Sequence, residues 1–147
     1  MYKSIVVGTD GSATASRAVS EAIELAKANH AKLHVVTAFQ ESSLRSVERE
    51  IEGAPDDIRL TFNARDAIDA RANFAAETAK DSGVDVQAHT REDSPANALI
   101  DVASEEDADL IVVGNKGMTG AKRFLLGSVP NKVSHHAPCS VLIIRTT

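Results

Sequence analysis

Short apolar runs that end in glycine constrain the fold of this chain more than any other feature. "SIVVG" (Ser4–Gly8) and "DLIVVG" (Asp109–Gly114) are dominated by β-branched residues, which is typical of strands buried on both faces of a sheet. Further strands are predicted at Lys32–Phe39, Val84–Thr90 and Ser140–Ile144. A sheet with such central strands needs helices on both of its sides.

In the segments between these strands, apolar residues recur at the spacing of a helix. Helices are predicted from the Ser12 cap to about Asn29, over Ile58–Ser82, from Pro95 after the Ser94 cap, and over Val129–His136. Residues 40–57 are predicted to be a variable loop region, in which Ser46–Glu52 could form a short charged helix. The alternation predicts an α/β fold with a five-stranded parallel doubly wound sheet. Without a linker or repeat, residues 1–147 are interpreted as one domain.

Two polar, glycine-bearing turns indicate the strand order. "GTDGS" follows strand 1 and "GNKGMTG" follows strand 4. Ligands of open α/β sheets bind beyond the carboxyl ends of strands, where the strand order reverses. Both turns line one crevice if strands 1 and 4 are neighbours, so a Rossmann-like order 3-2-1-4-5 is favoured over 2-1-3-4-5. Strict alternation in "VDVQAHT" independently places strand 3 at an edge.

Composition excludes several classes of partner. The net charge is −5 and aromatic residues make up 3% of the chain, which argues against nucleic-acid binding. No apolar run approaches the roughly 20 residues of a membrane span, so no membrane association is expected. The only cysteine, Cys139, cannot form an internal disulfide. Because the N-terminus enters a strand pattern without a signal-peptide region, we expect a cytoplasmic protein.

The glycine spacing after strand 4 indicates an anion site. Gly114 and Gly117 let backbone amides approach a ligand, and Gly127 and Ser128 precede a helix start. Free amides and the helix dipole at such a start favour a phosphate. The Ser128 hydroxyl could cap the helix or donate to a phosphate oxygen, and Lys116 adds positive charge.

The turn after strand 1 contributes Thr9 and Asp10 to the same crevice. The Asp10 carboxylate is an acceptor suited to ribose hydroxyls and repels phosphates, so we expect it at the nucleoside end. The alternative role for Asp10 is an Asx turn or a helix cap. The base would then lie near strand 2, where Ala38 could present backbone groups.

This combination resembles the universal stress protein family of the ATP-binding type. The family pattern G-x2-G-x9-G-[S/T] is matched by Gly114, Gly117, Gly127 and Ser128, and the tail "LLGSVPNKVSHHAPCSVLII" is also similar. The resemblance covers the chain except roughly residues 40–57. It implies an adenine nucleotide alpha hydrolase-like fold that binds ATP. The ATP could be bound together with Mg²⁺. It also implies that Asp10 contacts the nucleoside, and that the motif residues and Val129 contact ribose and phosphates.

Several functions stay open at this point. The chain could be a nucleotide-dependent stress-response regulator with an unknown protein partner, a slow ATPase, a cyclic AMP-binding protein, or an interaction module with an empty site. No catalytic residue is assigned, because hydrolysis needs a water-positioning group and the crevice turns contain only one carboxylate, Asp10. The P-loop and dinucleotide glycine fingerprints are absent from the sequence.

Two further expectations concern the remaining strands. Apolar "SVLII" (Ser140–Ile144) lies at the other edge, where either helices cover its faces or it pairs in a symmetric dimer. Such a dimer is common in the family resembled, so we predict a homodimer through strand 5. His34 and His89 lie on strands without clustered cysteines or carboxylates, so we expect structural or solvated side chains and no metal site.

Overall fold

Parallel strands form one sheet in a computed structural model that describes residues 1–53, 63–115 and 126–146. The strands are β1 (Ser4–Gly8), β2 (Lys32–Phe39), β3 (Val86–Glu92), β4 (Leu110–Gly114) and β5 (Ser140–Ile144). The helices in the described part of the chain are α1 (Ala13–Asn29), α2 (Glu41–Glu52), α3 (Ala64–Asp81), α4 (Pro95–Glu105) and α5 (Ser128–His136). None of these helices is both long enough and apolar enough to cross a bilayer.

The predicted strand order is confirmed. The sheet runs β3-β2-β1-β4-β5, and Ile5 of the central β1 pairs with Leu33 on one side and Leu110 on the other. Side chains alternate between the two faces, so Val7 packs against α1 while Val6 packs against α4. Both are fully buried, as expected for a doubly wound sheet.

The starts of α1 and α4 are fixed by the predicted serine caps. The Ser12 hydroxyl accepts a hydrogen bond from the Ala15 amide, and the Ser94 hydroxyl accepts one from the Asn97 amide. α3 begins with a capping box between Asn63 and Asp66. The part of the predicted third helix before Asn63 lies outside the described residues.

Two predicted boundaries are wrong. The short helix considered at Ser46–Glu52 is longer than predicted, since α2 spans Glu41–Glu52, where Leu44, Val47 and Ile51 make an apolar stripe that packs on Ile68. β3 begins two residues later than predicted. Val84 is buried, but its amide donates to the Ala79 carbonyl in the turn that ends α3, so ladder pairing with β2 begins only at Val86.

The two edges of the sheet differ in how they are covered. β3 is at one edge, as predicted from its alternating pattern. At the other edge, adjacent side chains of β5 point to opposite faces, yet Leu142 and Ile143 are 37% and 38% exposed. Helices therefore leave apolar surface uncovered on both faces of β5.

Candidate functional site

A cavity of about 230 Å³ lies beyond the carboxyl ends of β1 and β4. Of the predicted site residues, Thr9, Asp10, Ala38, Gly114, Gly127, Ser128 and Val129 line this cavity. The other two, Lys116 and Gly117, lie outside the described residues. The structure thus brings together residues from both ends of the sequence, because β1 and β4 are neighbours in the sheet.

The N-terminus of α5 forms one wall of the cavity. Gly127 occupies the N-cap position, and no side chain caps this helix. The expectation that Ser128 itself could cap the helix is therefore wrong, since Ser128 is already the first helical residue. Its hydroxyl has no hydrogen-bond partner among the described residues. The amides of Ser128 and Val129 precede the first intrahelical bond, which Asn131 donates to Gly127, so they remain available for an anion.

Asn115 fixes where this helix begins. Its carbonyl accepts a hydrogen bond from the Gly127 amide at 2.8 Å, and its own amide donates to the Ile144 carbonyl at 2.8 Å. Its side-chain oxygen accepts from the Thr146 amide and hydroxyl at 2.8 and 3.0 Å. The residue after β4 therefore connects the start of α5 to the end of β5, and this holds the uncapped helix end beside Gly114.

The turn after β1 forms the opposite wall. The Thr9 amide donates to the Val36 carbonyl, and the Thr9 hydroxyl accepts from the Gly11 amide at 3.1 Å. Gly11 has a φ of +82°, a conformation that side-chain-bearing residues rarely adopt. Ser12 then caps α1, so a second helix begins at the cavity.

Asp10 is exposed, and one of its carboxylate oxygens forms the Asx turn that was predicted as the alternative to ligand contact. Its Oδ1 accepts a hydrogen bond from the Ser12 amide at 2.9 Å, which is an Asx turn. Its Oδ2 has no hydrogen-bond donor among the described residues. One carboxylate oxygen thus shapes the turn while the other is free to accept from a ligand hydroxyl.

An apolar wall completes the cavity on the side of β2 and α4. Val36, Ala38, Pro95 and Leu99 line it. Ala38 lies beyond the last β1–β2 pair, Gly8 with Val36, so it stands at the open end of the sheet. A Cβ at Gly8 would lie 3.2 Å from the Leu99 side chain, so a larger residue there would crowd Leu99.

The arrangement suits holding a molecule with an anionic end and a hydroxyl-bearing end. The uncapped start of α5 and the Asp10 carboxylate both line the cavity. Among its described lining residues, Asp10 is the only carboxylate, so they include no second acid to position a water for hydrolysis.

The universal stress protein family model matches residues 1–145. The chain belongs to the universal stress protein family. The universal stress protein Rv1636 of Mycobacterium tuberculosis is 38% identical, with 99% of this chain and 98% of that protein covered. A universal stress protein solved in complex with cyclic AMP is 35% identical and superposes with a TM-score of 0.73, over 99% of each chain.

A more distant family structure extends the fold comparison. The universal stress protein of Archaeoglobus fulgidus, solved in complex with dAMP, has 24% identity and a TM-score of 0.66. The aligned region covers 98% of each chain, and at this identity the likeness shows the fold.

Sequence reasoning missed several residues of this universal stress protein site. Asn115 and the apolar pair Pro95 and Leu99 were not predicted. Asn115 stands between two motif positions in "GNKG", where an asparagine after a strand is a usable turn signal. Leu99 gives no such signal, because it forms part of an ordinary apolar stripe on α4.

Proposed function

We propose that this universal stress protein binds an adenine nucleotide, ATP, in the crevice beyond β1 and β4. The observation that carries the proposal is the uncapped start of α5, where the amides of Ser128 and Val129 and the Ser128 hydroxyl have no partner among the described residues. Free amides at a helix start are satisfied by a capping side chain, by water or by a ligand, and at this start Gly127 and Val129 are half-buried while Ser128 is exposed.

In this proposal the ligand lies with its phosphates at α5 and its nucleoside toward β1 and β2. Asp10 Oδ2 accepts from a ribose hydroxyl, and the base packs near Ala38 against the apolar wall. Mg²⁺ would be held by the phosphates, because Asp10 is the only carboxylate among the described lining residues and lies at the nucleoside end.

Nucleotide binding, rather than turnover, is the proposed role. With at most weak hydrolysis, the protein serves as a stress-response regulator whose bound nucleotide alters its surface for a protein partner. We also propose that it works in the cytoplasm as a homodimer through Ser140–Ile144. The exposed side chains of Leu142 and Ile143 support that interface.

Cyclic AMP is the second candidate ligand. It is favoured by the cyclic AMP complex of the relative that is 35% identical over 99% of this chain. The described cavity offers an anion site and a hydroxyl acceptor, and both nucleotides provide the matching groups.

Identification of the native ligand tests the proposal directly. The purified protein is denatured, and the released small molecules are identified by mass spectrometry. Calorimetric titrations with ATP, ADP and cyclic AMP then rank the ligands. Tightest binding of ATP supports the first candidate and tightest binding of cyclic AMP supports the second. Absence of both released nucleotide and measurable binding would contradict the proposal. Phosphate release at saturating ATP measures any hydrolysis.

Substitution at the helix start locates the site. Ser128→Glu places a negative charge at the proposed phosphate position, and repulsion of like charges costs several kcal/mol. We expect nucleotide affinity to fall by at least about tenfold, which corresponds to about 1.4 kcal/mol. Ser134→Glu is the matched control, because it adds the same charge to an exposed position of the same helix outside the cavity. Equal affinity of Ser128→Glu and wild type would contradict this assignment.

A further inference from the structure

Three side chains that could ligate a metal meet on the α4 face of the sheet, away from the crevice. They are His34 of β2, His89 of β3 and Glu106, which directly follows α4. The Nδ1 atom of His34 lies 2.9 Å from the Nε2 atom of His89. One nitrogen from each ring and one carboxylate oxygen all lie within 4.8 Å of one another. The expectation that the two histidines lack a carboxylate partner is therefore wrong.

These polar groups are buried and have few other partners. His34 is 1% exposed and His89 is 8% exposed, while Glu106 is half-buried at the rim. In the described part of the chain, each histidine ring has only the other ring as a hydrogen-bond partner, and the Glu106 carboxylate has none. The two facing ring nitrogens satisfy each other, and the Glu106 carboxylate beside them has no protein donor in the described part of the chain.

Burial disfavours the charged form of both imidazoles. Burial is the largest cause that lowers the pKa of His34, followed by the nearby His89 ring. Burial also lowers the pKa of His89, and the charge of Arg91 acts in the same direction. Glu106 opposes the lowering in both cases. Neutral imidazole is the form that ligates a metal, so these shifts agree with the geometry.

We propose that His34, His89 and Glu106 bind one divalent transition-metal ion of the Zn²⁺ class, with water as the fourth ligand. Two imidazoles and one carboxylate suit Zn²⁺ or its neighbours and not Mg²⁺ or Ca²⁺, which take oxygen ligands. Zn–N bonds of about 2.0–2.1 Å in a tetrahedron place two nitrogens about 3.3 Å apart. The facing nitrogens therefore separate by a few tenths of an ångström, each ring turns so that its lone pair points at the ion rather than at the other ring, and the carboxylate rotates inward.

The protons balance without net release. Before binding, one of the two facing nitrogens carries the proton of the hydrogen bond between the rings. On binding, that ring moves this proton to its other nitrogen by exchange with solvent, and both facing nitrogens become ligands. His34 then binds through Nδ1 and His89 through Nε2.

The ion would join three elements that are distant in sequence. It cross-links two neighbouring strands to the residue that ends α4. The first turn of that helix, at Pro95, lines the proposed nucleotide cavity. The site lies at the opposite end of α4 and shares no residue with the cavity, so failure of either proposal leaves the other untouched.

The test uses the full-length protein freed of metal with a chelator. It is titrated with Co²⁺, whose tetrahedral complexes absorb strongly in the visible range, and dialysed against Zn²⁺ for metal analysis. We expect one ion per chain, a tetrahedral-type Co²⁺ spectrum, and displacement of Co²⁺ by Zn²⁺. His34→Gln and His89→Gln should each abolish the spectrum. Glu106→Gln, at the more exposed position, should weaken Zn²⁺ binding at least tenfold.

The control variant removes His135 and His136, which are not part of the proposed site. His135 and His136 are exposed and adjacent, so they are the main source of background binding. His135→Gln/His136→Gln should keep the full spectrum and stoichiometry. Circular dichroism checks that each variant folds. If the histidine variants do not fold, Glu106→Gln decides the outcome. Absence of a tetrahedral Co²⁺ spectrum, or Zn²⁺ stoichiometry and affinity unchanged in Glu106→Gln, would overturn the proposal.

Discussion

The two edge strands of this sheet differ in the side chains that they carry and in how those side chains are covered. On β3, Arg91 donates two hydrogen bonds to the Glu105 carboxylate, at 3.1 and 2.6 Å, and His89 pairs with His34. On β5, by contrast, Leu142 and Ile143 expose apolar surface on both faces. One edge carries polar side chains engaged with its own chain, and the other carries apolar side chains that are not fully covered.

This difference indicates which edge of the sheet is suited to association with another chain. Charged side chains on an edge strand discourage pairing with another chain, and exposed apolar side chains favour it. A second copy that adds its β5 would bury the apolar surface and satisfy the outer backbone groups in one step. β3 is instead tied to α4 and is suited to internal stability.

The largest effect should come from placing a charge on the apolar edge. In a symmetric dimer, Leu142→Lys brings like charges from both copies to one interface, which costs several kcal/mol. We expect the dimer dissociation constant to rise by at least tenfold, measured by light scattering and analytical ultracentrifugation over a range of concentrations.

The control for this change is Phe74→Lys on α3, at a position 77% exposed and remote from β5 in the sheet order. It makes a similar apolar-to-lysine change and should leave the oligomeric state as in wild type. If wild type is already monomeric, or if Leu142→Lys dimerises as tightly as wild type, β5 is not the interface.

An intermediate effect should come from protonation of His34 and His89, the histidine pair at the β3 side of the sheet. The pKa values of His34 and His89 are lowered by burial, so the unfolded chain takes up these protons at higher pH than the folded chain. Their contribution to stability is therefore present above the unfolded pKa of about 6.5 and falls as the pH drops below it. The slope is at most about 1.4 kcal/mol per pH unit for each proton.

The measurement is urea unfolding of metal-free protein between pH 5 and pH 8, roughly the range in which histidine titrates. His34→Leu/His89→Leu is the comparison, because it removes both partners and leaves neither unpaired. We expect a flatter pH dependence in this variant. The other charged groups around the pair, Lys32, Asp85, Arg91, Glu105 and Glu106, are present in both proteins. Identical slopes would show that the histidines do not set the acid response.

The smallest effect should come from Arg91→Gln, which removes the ion pair with Glu105. The Arg91 and Glu105 side chains are 35% and 49% exposed, and ion pairs that solvent reaches contribute little to stability. Arg91 lowers the pKa of Glu105, so any contribution is present above the usual glutamate pKa of about 4.3 and is lost at more acidic pH. We expect a small loss at low salt that disappears at high salt. A large loss independent of salt would show that Arg91 acts through packing instead.

The sheet was predictable because its signals are local. Apolar β-branched runs, serine caps and the two glycine-bearing turns each indicate one element, and together they determine the strand order. Only Ser46–Glu52 of α2 was considered as a helix, because the segment is charged and its apolar residues are only Leu44, Val47 and Ile51. Their burial depends on Ile68, which no local pattern connects to them.

The site was predictable to the extent that it consists of backbone turns. Gly127 and Ser128 follow a family pattern, but the exact N-cap depends on a hydrogen bond to Asn115, 12 residues earlier. The histidine pair was not predictable in the same way. His34 and His89 are 55 residues apart and meet only through the register of β2 and β3.

Asn115 also has a thermodynamic consequence. It is hydrogen-bonded both to the start of α5, where the proposed nucleotide sits, and to the end of β5, where the proposed partner pairs. If nucleotide binding changes the dimer dissociation constant by some factor, dimerisation must change nucleotide affinity by the same factor. Asn115→Ala keeps these backbone hydrogen bonds and removes the side-chain bonds to Thr146. Measuring both quantities in wild type and in this variant would show whether the Asn115 side chain carries the coupling free energy, and equal coupling in the two proteins would show that it does not.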